Sequence, residues 1–219
     1  MTSRKRLNLP AIEQSLLIVQ SKFPEINRRL SDKREPLTDE VVEFMLDGYR
    51  CIDEYFACNI DPFEVGQSER MLELNRIVLC GGSENNNNCS KSQSKATRKH
   101  FYEDMDGVAD VMEWLDIHRN DNTWKRAAGV FTRILSQPQL YLEGNHRTGA
   151  LLMSHLLISD GKPPFVLNVD NAVHFFEPAS LIKKRKKRGL DKLLQLPMLT
   201  KRLAKQLKRD ADKTYLLKE

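Results

Sequence analysis

Apolar residues recur every three or four positions in several separate runs along this chain, the spacing that lines one face of an α-helix. Ile12, Leu16, Val19 and Phe23 mark a first helix from Pro10 to Phe23, with Pro10 suited to an initial position and Pro24 as its stop. Thr38, followed by Asp39 and Glu40, has the composition of a capped helix start, and Val41, Met45, Tyr49, Ile52 and Phe56 continue as a stripe. The pattern breaks from Asn59 to Gly66 and resumes through Met71, Leu74 and Val78 until Gly81 and Gly82 stop it. From Gly81 to Lys99 the chain is polar with no hydrophobic period, which predicts a loop. Trp124, Ala127, Ala128, Phe131 and Leu135 then mark one helix, and Leu151, Leu152, Met153, Leu156 and Leu157 another. Gly161-Lys162-Pro163-Pro164 ends the second, and a short strand is expected at Phe165 to Asn168. Leucines at 190, 193, 194 and 196, then at 199, 203 and 207, predict amphipathic helices that separate near Pro197.

The sequence has 219 residues, enough for one core, or a core with an appendage. At 40% hydrophobic and 30% charged it is globular rather than disordered in type. The longest apolar stretch, ALLMSHLLI, is too short to span a bilayer, and the N-terminus makes a poor signal peptide, so a cytoplasmic protein is expected. Cys51, Cys58, Cys80 and Cys89 form no C-x-x-C pair and are expected as reduced thiols, with Cys51 and Cys58 as small core residues on one helical face. No second His or Cys stands at metal spacing from His174, which reads as a packed or surface residue.

Much of the net charge of +5 comes from the tail, where KKRKKR at 183–188 is followed by Lys201, Arg202, Lys205, Lys208 and Arg209. A solvated helix face that also docks on the core accounts for this, and so does a surface for nucleic acid or an anionic membrane. No aromatic residue is interleaved there to stack on bases. The expected division is an N-terminal helical part over 1–66, a core over 67–180 and a basic helical tail over 181–219.

The richest chemistry lies in QLYLEGNHR, Gln139 to Arg147, between two helical runs. A Gly-Asn turn at the start of a helix offers free backbone N–H groups and the positive end of the helix dipole to an anion. Gly144 lets the chain turn and approach a ligand closely, while Asn145 tolerates positive φ and carries an amide. Arg147 can fork onto phosphate oxygens, His146 can contact phosphate, and Glu143 can hold a Mg²⁺ that bridges a nucleotide's phosphates. An ordinary interhelical turn, with Glu143 stabilising the helix start and Arg147 solvated, accounts for the same spacing.

These residues resemble the signature of the Fic domain, the fold shared with the death-on-curing toxins, whose pattern is H-x-F-x-(D/E)-G-N-x-R-x-x-R. Glu143, Gly144, Asn145 and Arg147 match it, and Tyr141 stands at the position of the Phe. The flanks VADVMEWLDIH and RTGALLMSHLLISDGKPP are similar to the neighbouring helices, so the resemblance covers roughly Leu72 to Pro164. It implies an all-α, Fic-like domain with a phosphate-binding loop between two core helices, and transfer of AMP from ATP or another nucleoside triphosphate, with Mg²⁺, to a hydroxyl on a target protein. Two positions depart from the pattern: Gln139 stands where the family has its catalytic His, and Ala150 where it has a second Arg. A glutamine amide cannot accept a proton near neutral pH, and a lost general base typically removes about 10²- to 10⁴-fold of rate. His146 is the candidate substitute within the loop. A β-hairpin flap that holds the target peptide is implied for the region after Gly82, but no β-branched alternation supports it there. The nearest match to the family's self-inhibitory helix is SDKREP at 31–36, which Pro36 makes unsuitable as helix, leaving Glu35 as a solvated turn residue. Three readings follow: a nucleotidyl transferase, a non-catalytic nucleotide- or protein-binding descendant, and a basic helical protein that binds nucleic acid.

Overall fold

The computed structural model of the chain describes residues 6–82, 90–104 and 106–217. All regular structure among them is helical, with no strand. Helix α1 (Leu9–Arg29) starts at Asn8, whose side chain accepts from Ala11 N, and α2 (Asp39–Ala57) starts at Thr38, whose Oγ1 accepts from Val41 N at 3.3 Å. Then follow α3 (Glu69–Cys80), α4 (Lys91–Glu103), α5 (Val108–Ile117), α6 (Thr123–Leu135), α7 (Asn145–Ser159), α8 (Ala172–Lys183) and α9 (Leu196–Arg209). A π-helical turn at Asp191–Gln195 leads into α9.

Helices α6 and α7 form the centre. Every residue from Ala127 to Leu135 and from Thr148 to Ile158 is buried, the all-round burial of a helix with neighbours on each side. Helices α2 and α3 pack on α7, while α5, α8 and α9 pack on α6, and α1 closes over α2 and α8. One hydrophobic core takes residues from all three expected segments, from Leu7 through Leu151 to Leu207. Small residues set the spacing: a Cβ on Gly48 would lie 2.3 Å from Leu151 Cδ1, and one on Gly129 would lie 1.7 Å from Trp114 Cη2.

Several local expectations are corrected. Pro24 does not end α1, which runs on to Arg29 because Phe23 and Ile26 continue its buried stripe. The polar segment does not stay a loop: Lys91–Glu103 is helix α4, capped by Ser90, whose side chain accepts from Gln93 N. Only Thr97 and Phe101 of α4 are buried, too few to leave a periodic trace. The β-hairpin flap that the resemblance implies after Gly82 does not form over Ser90 to Lys99, and 83–89 lies outside the described residues. Phe165 to Asn168 is extended but pairs with no strand; Ser154 Oγ accepts from Phe165 N at 3.1 Å, and Tyr49 OH donates to Phe165 O at 2.7 Å. Cys51 is buried and free, but Cys58 is exposed at the end of α2, and Cys80 is in a disulfide rather than a reduced thiol.

The basic run is not simply a solvated face. Lys187 is fully buried, donating to Asp106 O at 2.7 Å and lying 3.6 Å from Asp110, which also binds the buried Arg133. Burial pushes the Lys187 ammonium down to about 8, against the pull of Asp110. Gln137 N donates to Arg185 O and Lys187 N to Gln137 O, so this stretch straps the chain just before the Gln139 loop.

Replacing Gly129 by Val should lower stability by about 1–3 kcal/mol, because overpacking against Trp114 outweighs a helix-propensity gain below about 1 kcal/mol. Urea denaturation checks this, and an unchanged midpoint would refute the close α5–α6 contact.

Candidate functional site

The loop between α6 and α7 is held by three side chains. Asn145 is buried and uses its whole amide on one residue: Oδ1 accepts from Tyr141 N at 2.9 Å and Nδ2 donates to Tyr141 O at 2.7 Å. Tyr141 is itself buried, stacked on Phe101 with ring centroids 5.5 Å apart, and its hydroxyl donates to Met71 O at 3.2 Å. Asn75 on α3 donates to Glu143 O at 2.9 Å and to Thr148 Oγ1 at 3.0 Å. Gly144, at φ +76°, turns the chain into α7; a Cβ there would be strained and 2.8 Å from Asn75 Nδ2. Thr148 N donates to Gly144 O, the first bond of the helix. The N–H groups of Asn145, His146 and Arg147 therefore stand before the ladder and need an outside acceptor.

Gly144 to Arg147 line a cavity of about 470 Å³ with Ala150, walled by α1, α2 and α8. Its floor is apolar, with Phe23, Met45, Phe165 and Phe176 among its lining. The segment 33–37 forms one rim. SDKREP is not helical, and Glu35 is exposed as expected, but Arg34 folds inward. Its guanidinium lies 4.5 Å from the Phe176 ring centroid, and Nη2 donates to Ser180 Oγ at 3.0 Å and to Phe176 O at 3.3 Å. Arg34 Nε is buried with no hydrogen-bond partner, and so is Nε2 of His146. Burial lowers the pKa of Arg34 and of Arg147, whose Nη1 donates to Val78 O. Burial, then the charges of Arg34 and Lys183, push the His146 imidazole down to about 3. The cavity thus carries desolvated cations, an unsatisfied imidazole nitrogen and a helix N-terminus, and no side-chain carboxylate but the exposed Glu35. Such a site favours an anion.

The other residues singled out in the loop are placed apart from this cavity. Glu143 is exposed and lines a separate cleft with α3 and α4, where Oε2 accepts from Gln93 Nε2 at 3.3 Å. Among the described residues no three His, Cys, Asp or Glu side chains group to hold a metal. Gln139 turns back on α6, its Nε2 donating to Leu135 O at 3.3 Å, and it does not line the cavity. His174 is on the surface of α8. One residue not anticipated from the sequence enters the cavity, Arg34, whose neighbours in SDKREP mask it, and another, His100, contacts the loop outside the cavity. His100 Nε2 donates to Gln139 O at 2.8 Å and Nδ1 meets Asp104 Oδ2 at 2.5 Å. His100 thus links the Gln139 carbonyl of the loop to Asp104 at the end of α4.

No protein-family model matches the chain, and no curated protein sequence matches it.

Asn145→Ala should leave Tyr141 N and O buried and unpaired, at about 1–3 kcal/mol for each group; a chemical denaturation midpoint equal to wild type would refute the brace. For His146 the folded pKa lies below the unfolded one, so the unfolded chain binds the extra proton between pH 6.5 and about 3. Stability from this residue is complete above pH 6.5 and falls as pH drops through that window. His146→Gln should flatten the acid side of the stability profile by up to one proton, measured by denaturation from pH 7 to 4; an identical slope would show an exposed imidazole.

Proposed function

We propose that this chain is a Fic-like protein that binds the phosphates of a nucleotide at the start of α7, with transfer of AMP to a protein hydroxyl weakened by the residue at position 139. The observation that carries the reading is the union of the Gly144–Arg147 turn with Arg34 and His146 around one largely apolar cavity. First-turn N–H groups and Arg147 suit phosphate oxygens, and the apolar floor suits a base or ribose face. Arg34 adds a cation to a cavity whose lining has Ala150 where the family pattern has a second Arg.

In AMP transfer, the attacking hydroxyl oxygen forms a bond to the α-phosphorus, the bond to pyrophosphate breaks, and the hydroxyl proton must leave. Gln139 has no basic atom to take it, its amide is committed to α6, and His100 is committed at both nitrogens. The His146 imidazole, neutral at physiological pH, is the remaining candidate base. A Mg²⁺ ion would neutralise phosphate charge, and Glu143 is the loop's carboxylate for it, with the remaining positions filled by water and phosphate. Glu143 opens on the α3–α4 cleft, so a ligand using both must straddle the loop. The second reading, a nucleotide-binding descendant that acts by occupancy, is favoured by the same committed glutamine.

Calorimetric titration with ATP and Mg²⁺ should show saturable binding that Arg34→Gln and Arg147→Ala each weaken about tenfold or more, the loss of a charge-assisted pair. Gln139→His should raise labelling of protein by a tagged ATP analogue by about 10²-fold or more if the base alone is missing. Absence of heat with each of the common nucleoside triphosphates would overturn the nucleotide reading.

A further inference from the structure

Apart from the cavity and sharing none of its lining residues, the α5–α6 turn, the end of α7 and α9 enclose an open trough of about 1050 Å³. Helix α9 buries Leu196, Leu199, Leu203 and Leu207 and turns Lys201, Lys205 and Lys208 outward into the trough. None of these three lysines makes an ion pair among the described residues, nor does Lys162 on the opposite wall. Arg126 joins them there, its Nε buried without a hydrogen-bond partner. The trough's two carboxylates are already engaged, Asp121 by Lys125 at 2.8 Å and Asp160 by the Thr123 hydroxyl. Trp124, partly buried against the core, also lines the trough.

We propose that this trough binds single-stranded nucleic acid, independently of the nucleotide cavity. The trough is much larger than one phosphate, and its lysines recur at four and then three residues along one helix. At 1.5 Å per residue they rise about 6 and 4.5 Å, close to the spacing of successive phosphates on an extended strand. An unpaired row of cations on a concave wall follows a strand's charge, whereas a flat membrane would meet the rims first. Trp124 supplies the stacking surface that the tail's own sequence lacks; it comes from α6 and is brought to the lysines by the α6–α9 packing. The trough's lone aromatic favours an unstacked base over a duplex.

Fluorescence anisotropy of a labelled single-stranded oligonucleotide of about 12 residues, with its duplex and phosphatidylserine vesicles as competitors, tests this. The expected result is saturable binding to the single strand, tighter than to the duplex, with log K falling as salt rises. Replacing Lys201, Lys205 and Lys208 together by Gln, of similar helix propensity and at exposed positions, should reduce the salt slope by about 2, at ~0.7 per phosphate. Trp124→Leu should weaken binding about fivefold or more at an unchanged slope, and Trp124→Phe should retain most of it. No saturable binding at low salt would overturn the proposal, as would insensitivity to the lysine replacement. Indifference to Trp124, or preferential capture by the vesicles, would overturn it in favour of a general polyanion or membrane surface.

Discussion

The candidate site depends on one side chain closing on one residue: the Asn145 amide holding both backbone polar groups of Tyr141. A loop between two buried helices must satisfy its own N–H and C=O groups without water. Asn145 does so by imitating a strand partner, and thereby fixes where α7 begins. Once that point is fixed, Gly144 sits at positive φ, Asn75 reaches the Glu143 carbonyl before it, and Gly144 to Arg147 line the cavity. The amide that the motif offers is therefore spent on shape.

Burial gives the cavity its chemical character. Arg34, His146 and Arg147 gather where water is excluded, and their pKa values fall for that reason. A buried cation without a full set of partners favours any anion that can reach it. Phe176 provides partial compensation by lying under the Arg34 guanidinium. The same logic explains the contrast with Lys187, whose charge is enclosed but answered by Asp110 and by the Asp106 carbonyl. Lys187 ties the fold together, while Arg34 Nε and His146 Nε2 beside the start of α7 are buried without a hydrogen-bond partner.

The chain announced the helices whose faces are apolar, the Thr38 cap, and the loop from Gln139 to Arg147 as the meeting of two core helices. It did not announce α4, because a helix that buries little more than Thr97 and Phe101 has no stripe; Ser90 as its cap was the available signal. Pro24 misled because a proline's local cost is outweighed when Phe23 and Ile26 are both buried. The extended Phe165 region looked like a strand, yet its hydrogen bonds go to Ser154 and Tyr49, partners far away or out of pattern. Of the loop residues singled out, Gly144 and Arg147 line the cavity, while Glu143 and Gln139 turn elsewhere. Arg34 and Trp124 gain their settings from tertiary packing alone, which no local pattern records.

The most direct test of the account is backbone amide NMR of the ¹⁵N-labelled protein during titration with ATP and Mg²⁺. The account predicts that the amides of Asn145, His146 and Arg147 shift first and saturate together, with those around Arg34 following the same isotherm. Shifts confined to the α9 trough, or none at the start of α7, would contradict the claim that this cavity holds an anion.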